Sequence, residues 1–385
     1  MKIIQDSKAL REFCEAASQQ SFVCIDTEFM RETTFYSILC LIQMATPDDE
    51  AIVDPQIKGI DLTPLKDLLL NNDVTKVLHA ARQDMEIFYK ICDDAVPGPI
   101  FDTQIASMAL GLGDSAGYGA LVKARLGLNL DKGARFTDWS RRPLSDKQLN
   151  YALADVTHLR DLYPEMVEEL EQKGRYKWVE EEMQQHSVET LYTFEPEDAW
   201  QRLKLRGTKK HYLAALKAAA AWRERQAIKK DVPRRRILKD DGIYDLAQQR
   251  PRSLAALAKL RAIPNGFEKS SSAQDLIDSL SAAIENAEDY APIAPKIQHM
   301  PPSLGPRIEM LKTLLRLRTE VEGIATRLVA NAKDIEKLAA FGDKADIDAL
   351  KGWRRDIFGQ DAVDMLGGKI ALRLEGEHVV AERLE

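Results

Sequence analysis

Four carboxylates and one tyrosine occupy positions from which they can act together. Asp26 and Glu28 end an apolar strand, and because side chains alternate across a strand, both project from one face. Asp84 falls in the first turn of a helix that follows a later strand, and ligands of open α/β sheets collect beyond the carboxyl ends of strands. Tyr151 and Asp155 are four residues apart on a helical pattern and share one face. Taken singly, each also fits an ordinary role: a solvated acid, a helix-capping acid, or a half-buried tyrosine beside a surface acid.

Four carboxylates together support the chemistry of divalent metal ions. The sequence places no cysteine or histidine cluster beside them, so Mg²⁺ or Mn²⁺, which prefer oxygen ligands, are the expected cofactors. Two such ions about 3.5–4 Å apart can activate a water molecule and stabilise the leaving oxygen of a phosphodiester. Since the acids alone would repel a phosphate, bound metal is also needed to hold the substrate.

The elements that must position these residues alternate between strand and helix. Apolar, β-rich runs predict strands, and amphipathic runs predict helices. The predicted strands are Ser21–Phe29, Tyr36–Thr46, Glu50–Pro55 and Thr75–Ala80, and the predicted helices are 62–70, 82–91 and 145–170. We therefore expect an α/β domain over residues 1–195, with a mixed sheet whose first three strands are antiparallel and with flanking helices.

Beyond Glu195 the strand signal almost vanishes, and two small all-α domains are expected, over residues 196–285 and 286–385. Helical patterns cover 200–228, 240–249, 253–260, 272–287, 307–329, 333–340 and 345–350. Asp231-Val-Pro stops the first of these helices, and five prolines between Ala291 and Pro306 predict a linker. The two helical parts resemble each other loosely, which predicts a diverged duplication.

Charge is distributed very unevenly along the chain. The whole chain carries −7, yet the segment from Arg202 to Lys239 contains 14 Lys and Arg against two acids, a net of +12. The segment from Glu165 to Asp198 carries −8. A basic module joined to acidic surroundings is typical of a module that binds a polyanion, although a solvated helical face has the same composition.

Composition and motif context exclude several classes of protein. With 385 residues and 45% hydrophobic content, the chain can build real cores and is not wholly disordered. It has no apolar run of 18 residues and no secretory signal, so no membrane partner is expected. Its four cysteines lack CxxC spacing and predict reduced, buried thiols in a cytoplasmic protein without zinc fingers. The GxGxxA match at Gly111–Ala116 follows a helical pattern instead of a strand, and no GxxxxGK[ST] motif exists, so no nucleotide cofactor is expected.

The order of the acidic motifs resembles a known family. D-x-E on the first long strand, an Asp after a later strand and Y-x₃-D on a helix are similar to the DEDD exonuclease family, tyrosine subclass. Within it, VCIDTEF, VLHAARQDMEIF and LNYALADVTHL resemble the ribonuclease D family. Residues 216–247 resemble the helicase-and-ribonuclease-D C-terminal domain, and a weaker copy follows. The resemblance covers nearly the whole chain.

The resemblance implies a ribonuclease-H-like mixed sheet and a two-metal-ion site. In it, Asp26, Glu28 and Asp155 would hold the ion on the side of the nucleophile. Asp26 and Asp84 would hold the other ion, Asp84 through water, and Tyr151 would orient the attacking water. With a free pKa near ~10, a neutral phenol is better suited to positioning than to general-base catalysis.

The implied function is that of a cytoplasmic 3′-to-5′ exoribonuclease that releases nucleoside 5′-monophosphates, with RNA, and tRNA precursors in particular, as its partner. One alternative keeps the chemistry and changes the substrate to DNA, because no identified residue reads a 2′-hydroxyl group. A second alternative is a non-catalytic RNA-binding scaffold. The complete set of four acids and a tyrosine argues against that scaffold, since binding alone would not need acids facing a polyanion.

Candidate RNA contacts lie in two basic segments, because cations with exposed aromatic rings suit single-stranded RNA. The candidates are Arg135, Phe136, Trp139, Arg141 and Arg142 in one segment and Arg234, Arg235 and Arg236 in the other. The first segment also fits a packed loop. Two further polar residues are assigned structural roles: Asp102 is expected to cap a helix, and His79 to be a core histidine.

Overall fold

In the computed structural model of the chain, the residues described are 2–131, 133–293 and 304–384. They form two compact units. The first contains residues 2–28, 40–189 and 304–384, and the second contains residues 29–39 and 190–293. No helix among the described residues is both long enough and apolar enough to cross a membrane.

A six-stranded mixed sheet in the order β1-β4-β3-β2-β5-β6 organises the N-terminal part. Its strands are β1 Lys2–Ile4, β2 Phe22–Met30, β3 Ile38–Ala45, β4 Glu50–Val53, β5 Thr75–Leu78 and β6 Ile100–Asp102. β3 is antiparallel to β4, whereas β1 is parallel to β4, and β5 is parallel to both β2 and β6. The predicted mixed sheet is confirmed, and the two outer strands, β1 and β6, are additions that the residue pattern did not predict.

Among the described residues up to 189, seven α-helices accompany this sheet. They are α1 Ser7–Ala17, α2 Thr63–Leu70, α3 Arg82–Ile91, α4 Thr103–Ala109, α5 Tyr118–Leu126, α6 Asp146–Gln172 and α7 Tyr176–Met183. The longest, α6, begins at a capping box in which Ser145 and Gln148 satisfy each other's backbone amides. Its buried face, which includes Val156, Leu159 and Leu162, joins a core with Cys24 and Val77 of the sheet, and this packing fixes α6 beside β2.

The second unit is built around one alanine-rich helix. Its α-helices are α8 Lys210–Lys230, α9 Arg234–Ile237, α10 Asp240–Gln249, α11 Leu254–Leu257, α12 Ala273–Glu285 and α13 Ala287–Tyr290. The buried alanines of α8 share a core with Ile243 of α10 and Leu276 of α12. Asp231 ends α8 in the left-handed conformation at φ 47°, as the predicted stop requires. The predicted helix from Trp200 was placed too early, because residues 196–202 form a 3₁₀ helix and α8 begins at Lys210.

The C-terminal residues belong to the first unit. Their elements are α14 Leu304–Glu322, α15 Thr326–Val329, α16 Ala332–Phe341, α17 Gly352–Arg354, α18 Gln360–Leu366, β7 Ile370–Glu375 and β8 His378–Arg383. The lengths of α14, α15 and α16 are 19, 4 and 10 residues, and those of α8, α9 and α10 are 21, 4 and 10. This part is helical as expected, except that it ends in the antiparallel hairpin of β7 and β8.

These C-terminal residues pack tightly on α4 and α7. A Cβ atom at Gly111 would lie 2.5 Å from the carbonyl oxygen of Gly323, so only glycine permits this approach. The rings of Trp178 and Trp353 stack with centroids 4.3 Å apart. The guanidinium of Arg175 donates to the carbonyl oxygen of Ala109 at 2.9 Å and also to that of Glu322. The GxG at position 111 is therefore a packing feature.

The proline-rich linker predicted between Ala291 and Pro306 is only partly covered by the described residues. Three of the five linker prolines, Pro295, Pro301 and Pro302, lie outside them. Pro306, which the linker was expected to include, lies within α14. The division at residues 195 and 285 and the duplication stay predictions.

Candidate active site

β2 and α6 bring three carboxylates together. Asp26 and Glu28 lie near the end of β2, and Asp155 lies on α6. Each offers one ligand oxygen, and these oxygens all lie within 4.8 Å of one another. Asp26 and Glu28 thus project from the same face of β2, towards Asp155 on α6. A set of carboxylate oxygens without cysteine or histidine fits Mg²⁺ or Mn²⁺.

The carboxylates of this cluster are buried, and repulsion between neighbouring acids adds to the cost of their charges. Burial raises the pKa of Asp26, and the nearby Asp155 raises it further. Burial, followed by repulsion from Asp26, Asp155 and Asp84, raises the pKa of Glu28 to about 9, although Arg135 opposes the shift. Protonation relieves this repulsion in the apoprotein. A divalent cation would relieve it equally, and would displace the protons.

The fourth acid, Asp84, reaches the same region from another element. It lies in the first turn of α3, is 7% exposed, and accepts a 2.5 Å hydrogen bond from the hydroxyl of Thr27. Burial and then Asp26 raise its pKa well above the ordinary value. Asp84 is not one of the three acids whose ligand oxygens lie within 4.8 Å of one another. Its link to the cluster runs through Thr27, between Asp26 and Glu28, which the residue pattern did not single out.

Tyr151 presents a neutral phenol to the cluster. Burial raises the pKa of Tyr151, and the carboxylates of Asp155, Glu28 and Asp26 raise it further. Its hydroxyl hydrogen-bonds with the Asp155 carboxylate and lowers the pKa of Asp155, although burial dominates and leaves that pKa raised. The phenol therefore remains protonated and can act as a hydrogen-bond donor.

A cleft of about 400 Å³ opens beside these residues, a size typical of a small-ligand site. Two polar residues that sequence reasoning missed, Lys147 and Asn150, line it with Tyr151 and Asp155. They precede Tyr151 by four residues and by one, so helical periodicity along α6 could have identified Lys147. Lys147 lies 3.3 Å from a carboxylate oxygen of Asp131, which also lines the cleft.

Comparisons with known proteins agree with this geometry. Residues 1–171 match the family model described as 3′-5′ exonuclease, and residues 213–271 match the HRDC domain model. The chain is 44% identical over 380 residues to ribonuclease D of Nitrobacter hamburgensis, covering 99% of each chain. It is 43% identical over 392 residues to ribonuclease D of Sphingobium indicum, covering 100% of this chain and 99% of that one. The chain belongs to the ribonuclease D family.

A solved structure extends the comparison to the fold. The crystal structure of Escherichia coli RNase D, described as an exoribonuclease involved in structured RNA processing, matches with a TM-score of 0.80 and 29% sequence identity. The match covers 95% of this chain and 98% of that one. The predicted fold class, an α/β exonuclease domain followed by a helical region, is confirmed. As a member of the ribonuclease D family, the chain is a hydrolase of the 3′-to-5′ exoribonuclease type.

The candidate RNA contacts near the active site divide into exposed and buried residues. Phe136 is 91% exposed, and the guanidinium of the exposed Arg135 lies 5.2 Å from its ring centroid. Arg141 is also exposed and lies 3.2 Å from the carboxylate of Asp138. Trp139, by contrast, is 2% exposed, so the prediction that it stacks on RNA is wrong for this structure.

Arg142 is the second correction in this segment. Its guanidinium donates to both carboxylate oxygens of Asp54, at 2.6 and 2.8 Å. It also donates to the carbonyl oxygens of Cys40 and Trp139, both at 2.8 Å. These hydrogen bonds connect the segment to β3 and to the end of β4. They occupy the N–H donors of the guanidinium, which are then not available to bind a phosphate.

In the second unit, the consecutive residues Arg234, Arg235 and Arg236 also divide into one arginine with structural contacts and two exposed arginines. Arg234 donates two hydrogen bonds to the carboxylate of Glu224, and its guanidinium lies 4.6 Å from the ring centroid of Phe35. These contacts give Arg234 a structural role in pairing a buried carboxylate, and its assignment as an RNA contact stays a prediction. Arg235 and Arg236 are exposed.

The remaining sequence assignments are structural, as predicted. Asp102 caps α4 by accepting a hydrogen bond from the amide of Gln104 at 2.8 Å. The Nδ1 atom of His79 lies 3.0 Å from the hydroxyl of Thr103. All four cysteines are buried and free of disulfides.

Proposed function

We propose that this chain removes nucleotides one at a time from the 3′ ends of RNA and releases nucleoside 5′-monophosphates with the help of two divalent ions, Mg²⁺ or Mn²⁺. Its natural substrates are structured RNAs, tRNA precursors among them. The observation that carries the proposal is the meeting of Asp26, Glu28 and Asp155 within 4.8 Å, with Tyr151 beside them. The relatives named ribonuclease D favour RNA over DNA as substrate.

Each acid has a distinct place in this proposal. Asp26, Glu28 and Asp155 would hold one ion, and Asp26 with Asp84 would hold the other. When bound, the two ions supply positive charge that lowers the pKa of the attacking water and stabilises the leaving oxygen. Tyr151, which stays protonated, orients that water through its hydroxyl group. Burial of the cluster keeps these carboxylates in fixed positions before substrate arrives.

The substrate would lie along the cleft beside α6. Lys147 offers a positive charge to a phosphate, and Asn150 offers hydrogen-bonding groups to a nucleotide. Phe136 offers an exposed ring on which a base can stack, with Arg135 and Arg141 close to the backbone of the RNA. In the second unit, Arg235 and Arg236 add sequence-independent attraction for longer RNA. We propose a cytoplasmic location, which an RNA substrate and four cysteines free of disulfides support.

Release of labelled mononucleotides tests the proposal directly. Matched RNA and DNA oligomers with a 3′-terminal label are incubated with the full chain and Mg²⁺ or Mn²⁺, and products are separated by size. We expect mononucleotides from RNA, none when EDTA is present, and little product with Asp26→Asn. Faster degradation of the DNA oligomer would show that DNA is the preferred substrate. RNA binding without any release of mononucleotides would show that the chain is a non-catalytic RNA-binding scaffold.

A further inference from the structure

The turn that delivers Asp84 to the active site has an unusual backbone. β5 ends at Leu78 and α3 begins at Arg82, so only three residues connect them. Ala80 adopts φ 57°, in the left-handed region that a residue with a Cβ atom rarely occupies. The N-cap residue of α3 is Ala81, whose side chain cannot accept a hydrogen bond. This turn therefore depends on a group elsewhere in the chain.

Asp102 supplies that group. One carboxylate oxygen accepts a hydrogen bond from the amide of Ala80, and the other accepts one from the amide of Ala81, both at 2.9 Å. The first oxygen also accepts from the amide of Gln104 at the start of α4. A single side chain, 3% exposed, thus caps its own helix and holds the turn before another.

Asp102 makes these contacts as a charged carboxylate. Burial alone would raise the pKa of Asp102, but hydrogen bonds from His186 and from the amides of Ala81 and Ala80 hold it below the ordinary value. The Nε2 atom of His186 lies 3.5 Å from a carboxylate oxygen of Asp102. Hydrogen bonds to a charged acceptor are roughly twice as strong as those between neutral groups.

Asp84 is connected both to the turn that precedes α3 and to β2, the strand that carries Asp26 and Glu28. Asp84 is three residues beyond Ala81, in the first turn of α3, and its carboxylate accepts the hydroxyl hydrogen bond of Thr27. A second link steadies the same turn, because the hydroxyl of Thr103 donates to the carbonyl oxygen of Leu78 at 3.0 Å. The position of Asp84 is thus set from β2 on one side and from the start of α4 on the other.

We propose that Asp102 is a positioning residue that acts through the amides of Ala80 and Ala81 to place the carboxylate of Asp84 for metal binding. The proposal rests on the assignment of Asp84 as a metal ligand in the proposed function. Residues that orient metal ligands without touching the ion commonly change metal affinity or activity by about 10–100-fold when replaced. Asp102 touches neither metal nor substrate, so its effect must appear through Asp84.

Two variants of the full chain separate this role from simple capping. Asp102→Asn keeps the size of the side chain but turns one acceptor oxygen into a donor that faces a backbone amide. Asp102→Ser retains a favourable N-cap for α4, but its single short oxygen cannot also reach the amides of Ala80 and Ala81. Asp54→Asn is the matched control, because it removes another hydrogen-bonded carboxylate of the same unit, one bound to Arg142.

Mn²⁺ binding without RNA, followed by the electron paramagnetic resonance signal of free Mn²⁺, is the primary measurement. We expect both Asp102 variants to weaken by about 10–100-fold the Mn²⁺ site that Asp84→Asn removes, and to leave the other site nearly unchanged. Single-turnover RNA cleavage should fall at low Mn²⁺ concentration and recover substantially at saturating Mn²⁺. Asp54→Asn should bind Mn²⁺ as the wild type does.

The outcomes distinguish this proposal from the assignment on which it rests. If Asp84→Asn loses a Mn²⁺ site while both Asp102 variants bind as the wild type does, the positioning role is overturned and the proposed function stands. If Asp84→Asn binds both ions normally, the ligand assignment of Asp84 fails, and the positioning role fails with it. If Asp102→Asn does not fold, Asp102→Ser, which keeps the cap of α4, decides the matter.

Discussion

The guanidinium of Arg234 donates two hydrogen bonds to the carboxylate of Glu224, and Glu224 is only 1% exposed. Arg202 donates a third hydrogen bond to the same carboxylate at 3.0 Å. A buried acid of this kind depends on its cations, because an unpaired charge in the interior is very costly. The strongly basic segment of the second unit is therefore in part a structural network, and only its exposed members are free to attract RNA.

This distinction yields a prediction for the three consecutive arginines. Arg235→Glu combined with Arg236→Glu should weaken the binding of long RNA, because two exposed positive charges are reversed. If both contact phosphates, the slope of log K against log salt should become shallower by about 1.4 for single-stranded RNA. Binding is measured by fluorescence anisotropy at several salt concentrations, with EDTA present to prevent cleavage.

The matched control is Arg234→Gln. It should lower the free energy of unfolding by roughly 1–3 kcal/mol, because it leaves part of a buried carboxylate unpaired, and change the salt slope little. Hydrolysis of a dinucleotide should be nearly unchanged in the double variant. A double variant with normal RNA affinity and a collapsed dinucleotide rate would show that Arg235 and Arg236 serve the fold or the active site.

Phe136 and Trp139 give a second paired prediction. Phe136 is 91% exposed, so Phe136→Ala should leave the unfolding temperature unchanged and weaken single-stranded RNA binding by about 1–3 kcal/mol. Trp139 is buried, so Trp139→Ala should destabilise the protein by about 3–5 kcal/mol. Thermal unfolding and RNA titration of both variants check the pair. An RNA affinity unaffected by Phe136→Ala would remove this ring from the binding surface.

Much of the fold was predictable because the main elements are long and their patterns are regular. The apolar run at β3 and the helical pattern of α6 identify these elements without tertiary information. β1 and β6 have three residues each, too few to show alternation. The hairpin of β7 and β8 turns at Gly376-Glu377, but β8 places Val379, Val380 and Ala381 in succession and both strands are highly charged, so no clear alternation marks the hairpin. Gly207 lies three residues before α8, and glycine is unfavourable within a helix.

The acids of the site were predictable for a different reason. Strand alternation relates Asp26 to Glu28, and helical periodicity relates Tyr151 to Asp155, so each pair is local. Contacts between distant segments leave no such pattern. The bond of Thr27 to Asp84 joins residues 57 apart in the chain, and the Arg142–Asp54 pair spans 88 residues. For the same reason, the burial of Trp139 could not be read from its neighbours.

Neutralising one acid of the cluster should separate activity from stability. Asp155→Asn or Glu28→Gln should lose most turnover, whereas the unfolding temperature of the metal-free protein should stay the same or rise. The reason is that burial raises the pKa of both groups, and repulsion from neighbouring acids that include Asp155 raises the pKa of Glu28 further, so these charges destabilise the apoprotein. Thermal unfolding in EDTA and cleavage at saturating Mg²⁺ measure the two effects. Near-normal turnover of a variant would show that the replaced acid is not a metal ligand needed for catalysis.

Tyr151→Phe should preserve the fold and metal binding but slow the chemical step. The ring still packs, and only the hydroxyl that would position water is lost. Effects of this kind are worth about 10²–10⁴-fold in rate. Rapid-quench measurement of a single turnover isolates the chemical step from product release. Unchanged single-turnover cleavage would leave Tyr151 as a packing residue beside Asp155.

The Arg142–Asp54 pair predicts how stability depends on pH. Burial raises the pKa of Asp54, but the hydrogen bonds from Arg142 and from the amide of Gln56 outweigh it and hold the pKa below the ordinary value. A carboxylate with a lowered pKa in the folded state adds stability at pH values above its unfolded pKa of about 3.9. That stability is lost as the pH falls towards the lowered folded-state pKa.

Asp54→Asn should therefore lower the free energy of unfolding by about 1.5–3 kcal/mol at neutral pH, because a hydrogen bond to a charged group is lost. The difference from the wild type should stay constant down to about pH 5 and narrow below about pH 4, as Asp54 of the wild type becomes protonated. Urea unfolding of both proteins at pH 7, 5, 4 and 3 measures this difference. Asp73→Asn, at an exposed acid, is the control and should follow the wild type throughout. A difference that persists unchanged at pH 3 would mean that Asp54 contributes through its shape and neutral hydrogen bonds, and that its charge adds nothing to stability.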